Sequence, residues 1–369
     1  MMRRLHRLCR SAALLAAVLS LLAGCGFKDI DKRFFVVAMG IDLPEGEDAK
    51  GYKVTLKLAI ASPKAEPGAS KTQMETVQAS TIAEAVRLLK SHVDKEIDFG
   101  HCKLFLFGEK LAKGNISKPL DWLARRRDIQ SVAFLAVGKP DAETVLQAEP
   151  KSERYPGNAL FLTFGKDGSE SSYTISEYVF DFMRRIEEKG MDPILPVMTT
   201  EKQEYVTTRL ALLDKSKIVT TLTASETETF NQIDNDFHKT AVTADVGGDT
   251  LVIETNSVSS HYRIVKQGDS YVLKMKIKVS GIFEEAPIGI YDQNWNKLEQ
   301  QFNKQLEAEA TALLKKMQKA GVDPMGFGLR FRATHAGSPK TWQAWQRIYP
   351  KLTFDVKANV VIEGTGITK

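Results

Sequence analysis

The residues best placed to do chemistry are Leu22-Ala23-Gly24-Cys25, a thiol preceded by two small side chains. Before them stand Arg3, Arg4, Arg7 and Arg10, then an apolar run from Ala12 to Leu22. A basic start, a short apolar stretch and small residues at a cleavage point make a secretory signal. The run is shorter than the ~20 apolar residues that span a bilayer. Ala23 and Gly24 let the chain lie extended in a peptidase groove, with cleavage between Gly24 and Cys25. The Cys25 thiol can then carry a diacylglyceryl group. The four residues match the bacterial lipoprotein signal, so residues 1–24 are expected as signal peptide and 25–33 as a lipidated, charged tether.

The other candidates read as structure. His101 and Cys102 are adjacent, so on a strand they point to opposite faces and cannot share a metal. With Cys9 lost in the signal and Cys25 acylated, Cys102 is a lone thiol without a disulfide partner. Arg125-Arg126-Arg127-Asp128 ends a helix, where cations suit the negative dipole end; the sharper alternative is a docking patch for an acidic partner. Lys274, Lys276 and Lys278 alternate with apolar residues and share one sheet face. Such a row is a solvated face that guards against unwanted pairing, and beside an anionic membrane it would also orient the domain. Trp342 and Trp345 read as core. The Gly326-Phe327-Gly328 and Gly364-Thr365-Gly366 pairs are turns. No phosphate loop, dinucleotide fingerprint, zinc-protease or nucleophile-elbow motif is present. No catalytic residue, cofactor or metal is therefore expected.

The chain has 369 residues, with 51 basic and 46 acidic side chains. The signal holds four of the basic residues and no acid, so 47 face 46 in the remainder and nucleic-acid binding gains no support. The length exceeds one ordinary core.

The elements follow from periodicity. Phe34–Ile41 is a continuous apolar run, as in a strand buried on both faces, closed by Gly40-Ile41-Asp42. Tyr52–Ile60 alternates, and a third strand is expected near Gln73–Gln78. Ala61–Ser70 reads as a loop. Thr81 and Glu84 form a capping box, Ser117 is expected to cap a second helix, and Thr174 with Glu177 a third. Lys103–Phe107 and Ser131–Val137 read as strands, and Pro140–Ala148 as a short helix. Asp192-Pro193 and Pro196 are expected to break the chain near a domain border at residue 205. Beyond it lie strands at 208–213, 217–222, 250–254, 259–265 and 271–283. A long helix capped by Asp292 runs to Gly321, a tryptophan helix starts at Ser338-Pro339, and a strand closes over 352–362. The expected class is α+β, multi-domain, with mixed or antiparallel sheets and packed helices. An N-terminal α/β domain takes 34–148, a middle segment or small domain 149–205, and an α+β domain with antiparallel sheet and long helix 206–369.

In order, these pieces resemble the Ger(x)C family, the lipoprotein C subunits of spore germinant receptors. The resemblance rests on the lipobox, on Gly40-Ile41-Asp42 and on Gly100-His101-Cys102-Lys103-Leu104-Phe105-Leu106-Phe107-Gly108-Glu109. It continues through Leu120-Asp121-Trp122-Leu123 with Arg127-Asp128, then Asp323-Pro324-Met325-Gly326-Phe327-Gly328 and the final strand to Gly366. The family often has Trp-Asp after the lipidated cysteine, where Gly26-Phe27 stand here. The resemblance implies three α/β domains on the outer face of the spore inner membrane, two membrane-associated partner subunits and a non-catalytic role in the response to nutrient germinants. Whether this subunit touches the small-molecule germinant stays open. Only Cys25 carries over as a defined functional residue. The alternative is a solute-binding lipoprotein of an importer, which needs two similar lobes around a cleft.

Overall fold

Strand order explains how distant parts of the chain meet. A computed structural model describes residues 32–46, 50–59, 72–150, 159–160, 162–164, 171–234, 239–335 and 338–366, with isolated positions before residue 32. The expected loop 61–70 lies outside the described residues.

The first sheet comprises β1 (Arg33–Asp42), β2 (Tyr52–Ala59), β3 (Thr72–Ala79), β4 (Glu96–Asp98), β5 (Leu104–Gly108), β6 (Phe134–Gly138), β7 (Ile194–Glu201), β8 (Glu204–Leu213) and β9 (Ile218–Thr221). Its order is β3-β2-β1-β5-β6-β7-β8-β9, with β4 beside β1. β1, β5, β6 and β7 run parallel, and antiparallel pairs flank them on both sides. Every residue of β5 and β6 is buried, because helices cover both faces of a parallel sheet. On one side pack α1 (Ile82–His92), α2 (Glu109–Gly114), α3 (Ser117–Arg125) and α5 (Val179–Glu187). On the other lie α4 (Ala142–Leu146), Leu160 and Phe164.

Local chemistry sets the helix starts, with two departures from expectation in this half. The Thr81 hydroxyl accepts the Glu84 N–H at 3.1 Å, as a cap should. Ser117 is already helical: Asn115 Oδ1 accepts its N–H at 2.8 Å, and Ile116 is the residue before the helix. Thr174 and Glu177 do not open a helix. The Glu177 carbonyl accepts Leu135 N–H and the Val179 N–H reaches Ala133 O, so residues 177–178 extend along β6 before α5 begins at Val179. Pro196 lies inside β7, one residue before β6–β7 pairing starts at Val197, where its missing N–H costs no ladder bond. The expected border near residue 205 falls inside β8.

The second sheet has the order β10 (Ala241–Val246), β11 (Asp249–Gln267), β12 (Ser270–Glu285), β13 (Thr353–Gly364). β11 is one 19-residue strand rather than the two expected segments. The sheet is mixed rather than antiparallel: β13 pairs parallel to β12 because the long α7 (Trp295–Ala320) returns the chain to the same end. Asn294, not Asp292, caps α7, its Oδ1 accepting Lys297 N–H at 3.3 Å; Asp292 closes a short 3-10 turn just before. Gly321 ends α7 at φ 74°, the left-handed value that favours glycine. α6 (Ala224–Asp234), α7, α8 (Phe327–Thr334) and α9 (Pro339–Ile348) form one core with the inner sheet face. Ser338 caps α9.

The two halves share strands. Ile194, Leu210 and Leu212 of β7–β8 point into the second core, while Leu195, Ala211 and Leu213 point into the first. The two sheets differ in build, so they are not two like lobes around a cleft.

Candidate functional site

Gly24 and Cys25 lie outside the described residues. Cys102 is fully buried, its Sγ 3.5 Å from Leu104 O, and burial pushes the thiol well above its ordinary range. His101 is exposed, edge-on to Phe35 at 4.7 Å. In the arginine run, Arg126 lies over the rings of Phe99 at 4.7 Å and Trp122 at 5.1 Å and pairs with Asp128. Arg125 pairs with Asp121 at 3.0 Å. Two of the three arginines thus hold the end of α3. Trp345 is buried and Trp342 half-buried against the same core.

Two places bring distant side chains together. The first is the carboxyl end of the parallel strands, where a cavity of about 640 Å³ is lined by Asp42, Lys53, Lys110, Asp141 and Glu143 among others. Asp42, at the end of β1, accepts the Ala142 N–H at 2.8 Å and the Glu143 N–H at 3.0 Å. It thereby satisfies the start of α4 from a hundred residues away, and burial pushes its carboxyl up to about 6. Only glycine fits at Gly108, where a Cβ would stand 1.8 Å from Asp42 Oδ1. Lys53 joins Glu143 at 2.5 Å and Glu45 at 3.1 Å, and the Glu143 bond first of all holds its ammonium above the ordinary range. At the other end of α4, the buried Lys57 ammonium donates to Leu146 O at 2.8 Å and Ala148 O at 2.6 Å; burial lowers it to about 8.

The second place is a junction between the loop at 188–193 and the turn at 323–328. Asp323 is buried and its carboxylate accepts Phe327 N–H at 3.0 Å and Gly328 N–H at 2.6 Å. Burial pushes that carboxyl up to about 7. Asp192 accepts the Asp323 N–H at 2.7 Å, and Asp192 N–H donates back to Asp323 O at 2.9 Å. Gly190 and Gly328 meet backbone to backbone: a Cβ on Gly190 would lie 2.5 Å from the Gly328 carbonyl carbon. Arg185 Nη1 donates to Pro324 O at 2.9 Å, and its Nε stands 3.3 Å from Glu177. Burial pushes the Glu177 carboxyl up, against the pull of Arg185. Lys215 Nζ closes the cluster with bonds to the carbonyls of Arg185, Glu188 and Met191. Sequence singled out parts of both places, as Gly40-Ile41-Asp42 and as Asp323 to Gly328, without assigning the aspartates their work.

Asp42, Asp192 and Asp323 are committed to backbone N–H groups, and Glu45, Glu143 and Glu177 face Lys53 or Arg185; no group of three metal-ligating side chains occurs among the described residues. No described helix is long and apolar enough to cross a membrane. Fold and junction together define a two-sheet α+β protein whose halves are tied by buried polar bonds.

The chain belongs to the GerAC-like spore germination family. The family's N-terminal domain matches residues 26–200 and its C-terminal domain, described as spore germination B3/GerAC like, matches 208–366. The chain is similar to spore germination protein KC of Bacillus subtilis (strain 168), 23% identical over 98% of this chain and 97% of that one. Spore germination protein GerQC of Bacillus cereus is 20% identical, covering 82% and 85%. Its fold resembles the crystal structure of the GerBC protein, with a TM-score of 0.56 at 18% identity over 88% of this chain and 97% of that one. The two matched segments part at the β7–β8 turn, where Lys202 and Gln203 take positive φ. The junction therefore joins residues 185 to 192 of the N-terminal segment to Lys215 and residues 323 to 328 of the C-terminal segment.

Proposed function

We propose that the chain is the lipid-anchored C subunit of a spore germinant receptor, held by Cys25 on the outer face of the spore inner membrane and needed for the response to nutrient germinants. The observation that carries this reading is the family match, which begins at residue 26, directly after the lipobox. Its role is read as non-catalytic, because the buried titratable groups at both places described above hold backbone or each other. Two further membrane-associated receptor subunits are its expected partners. Acyl chains bury ~0.8 kcal/mol per methylene, so two or three anchor the chain stably and raise its effective concentration beside such partners.

The test has two arms. Cys25→Ala is expected to abolish lipid labelling and impair nutrient germination while leaving the fold intact; normal germination with proven loss of lipid removes the anchored reading. A tagged pull-down from detergent-solubilised spore membranes is expected to recover two receptor subunits. Recovery of importer components instead overturns the receptor reading.

A further inference from the structure

The inner face of the second sheet is covered by α6 to α9, and the outer face of β11–β13 carries a cationic array whose registry the structure fixes. Three neighbouring rows run across the strands: Arg263–Lys274–Asp355, His261–Lys276–Lys357 and Ser259–Lys278–Asn359. Arg263, His261, Lys276, Lys278 and Lys357 are exposed and Lys274 is half-buried. Rows in a strand repeat every ~6.7 Å along it and neighbouring strands lie ~4.8 Å apart. Five permanent cations thus fall within a patch of roughly 13 by 10 Å, inside about two Debye lengths of each other. Asp355 is the sole acid in these rows, and among the described residues Arg263, Lys274, Lys276 and Lys278 make no ion pair, while Lys357 stands 3.7 Å from Glu307. The acids of this face, Glu254, Glu284 and Glu363, lie towards the opposite end of the strands.

We propose that this open face docks on an anionic phospholipid surface, taking the lipid phosphate headgroups as its ligand. The proposal rests on the membrane-anchored reading, which puts the sheet within reach of such a surface. A second copy is the wrong occupant, since two like faces would oppose lysines to lysines. A protein interface is a poor fit as well. Interface cores concentrate aromatic side chains and deplete lysine, whereas the outward positions of these rows hold four lysines and no Phe, Tyr or Trp. A flat array of snorkelling ammonium and guanidinium groups matches a plane of phosphates. The acids at the far end would tilt the domain, with the Gln267-Gly268-Asp269 turn side towards the bilayer.

The test uses the full lipidated chain in two sets of vesicles: phosphatidylcholine alone, and about seven parts phosphatidylcholine to three of phosphatidylglycerol. Flotation with the neutral vesicles reads the anchor. Modification by a water-soluble amine-acetylating reagent, followed by mass spectrometry, reads the face. Lys276, Lys278 and Lys357 are expected to react at least about fivefold more slowly on the anionic vesicles, with the exposed Lys118 on α3 unchanged. About 0.5 M salt should erase the difference. In K274Q/K276Q/K278Q the protection of Lys357 should vanish, since each neutralised lysine weakens docking about fivefold. Equal reactivity on both vesicles overturns the proposal. So does protection that persists on neutral vesicles, which assigns the face to another protein or to a second copy. Failure to float on neutral vesicles with protection still present on anionic ones removes the anchor and keeps the face.

Discussion

Each half of the molecule contains one buried aspartate that accepts two consecutive backbone N–H groups at the start of a helix, yet they are built differently. Asp323 works locally, bonding residues four and five positions ahead within one turn. Asp42 works across a hundred residues, tying the end of β1 to α4. The local device shapes a turn so that Gly328 can lie against Gly190. The distant one fixes how two separate elements meet beside a cavity. Both aspartates are buried, but Asp42 also borders that cavity, and burial pushes the Asp323 carboxyl further up, to about 7 against about 6. If access of water, rather than sequence distance, sets how much each bond matters, the Asp323 bonds should matter more than those of Asp42.

Removing the acceptors tests this most severely. Two orphaned buried N–H groups cost about 1–3 kcal/mol each, so Asp323→Ala should lose about 3–5 kcal/mol. Asp42→Ala should lose about 2–3 kcal/mol, because water in the cavity can replace part of what is lost. Urea denaturation measures both, and an equal or reversed order breaks the account. The pH dependence sharpens it. A carboxyl whose folded value exceeds its unfolded one binds more protons when folded, so its contribution falls as pH rises. Asp42 makes that loss between 3.8 and about 6, and Asp323 between 3.8 and about 7. Between pH 6 and 7, Asp323→Asn should flatten the fall in urea midpoint relative to the parent, and Asp42→Asn should leave it.

The legibility of the sequence follows the same line between local and distant. Strands of the second sheet announce themselves because one face is wet: Leu273, Met275, Ile277 and Val279 alternate with lysines and a serine, and the buried positions follow that alternation. The long helix is legible from its stripe of Leu298, Phe302, Leu306, Ala310, Leu313 and Met317, all buried. α6 is not legible from periodicity, because Thr227, Thr229, Asn231 and Gln232 are buried as polar groups and mask the stripe. Its one local signal is the reciprocal Thr223–Glu226 capping box. Glu177 looked like half of such a box, but its backbone is claimed by β6. Neither the parallel course of β13 nor the Asp42 bonds could be read, since each depends on a partner far along the chain. The lipoprotein-signal reading of Leu22-Ala23-Gly24-Cys25 is the reverse case, an expectation that rests on four consecutive residues alone.

A third set of side-chain acceptors supplies the mildest test. On α7, Glu299, Asn303 and Glu307 stand four residues apart and accept the N–H groups of Ile362, Val360 and Ala358 at 2.9, 2.7 and 3.1 Å. They cover the outer edge of β13, which would otherwise offer a row of N–H groups to another strand. These bonds are as short as those of the aspartates and as distant in sequence as many tertiary contacts, but they are only part-buried. If access of water decides the cost, Asn303→Ala should lose less than about 1 kcal/mol in urea, because solvent takes over the Val360 N–H. Its visible effect should instead be association, with sedimentation showing concentration-dependent oligomers through the opened edge. A loss as large as that of Asp323→Ala would mean that the bond itself, and not its burial, governs all three devices.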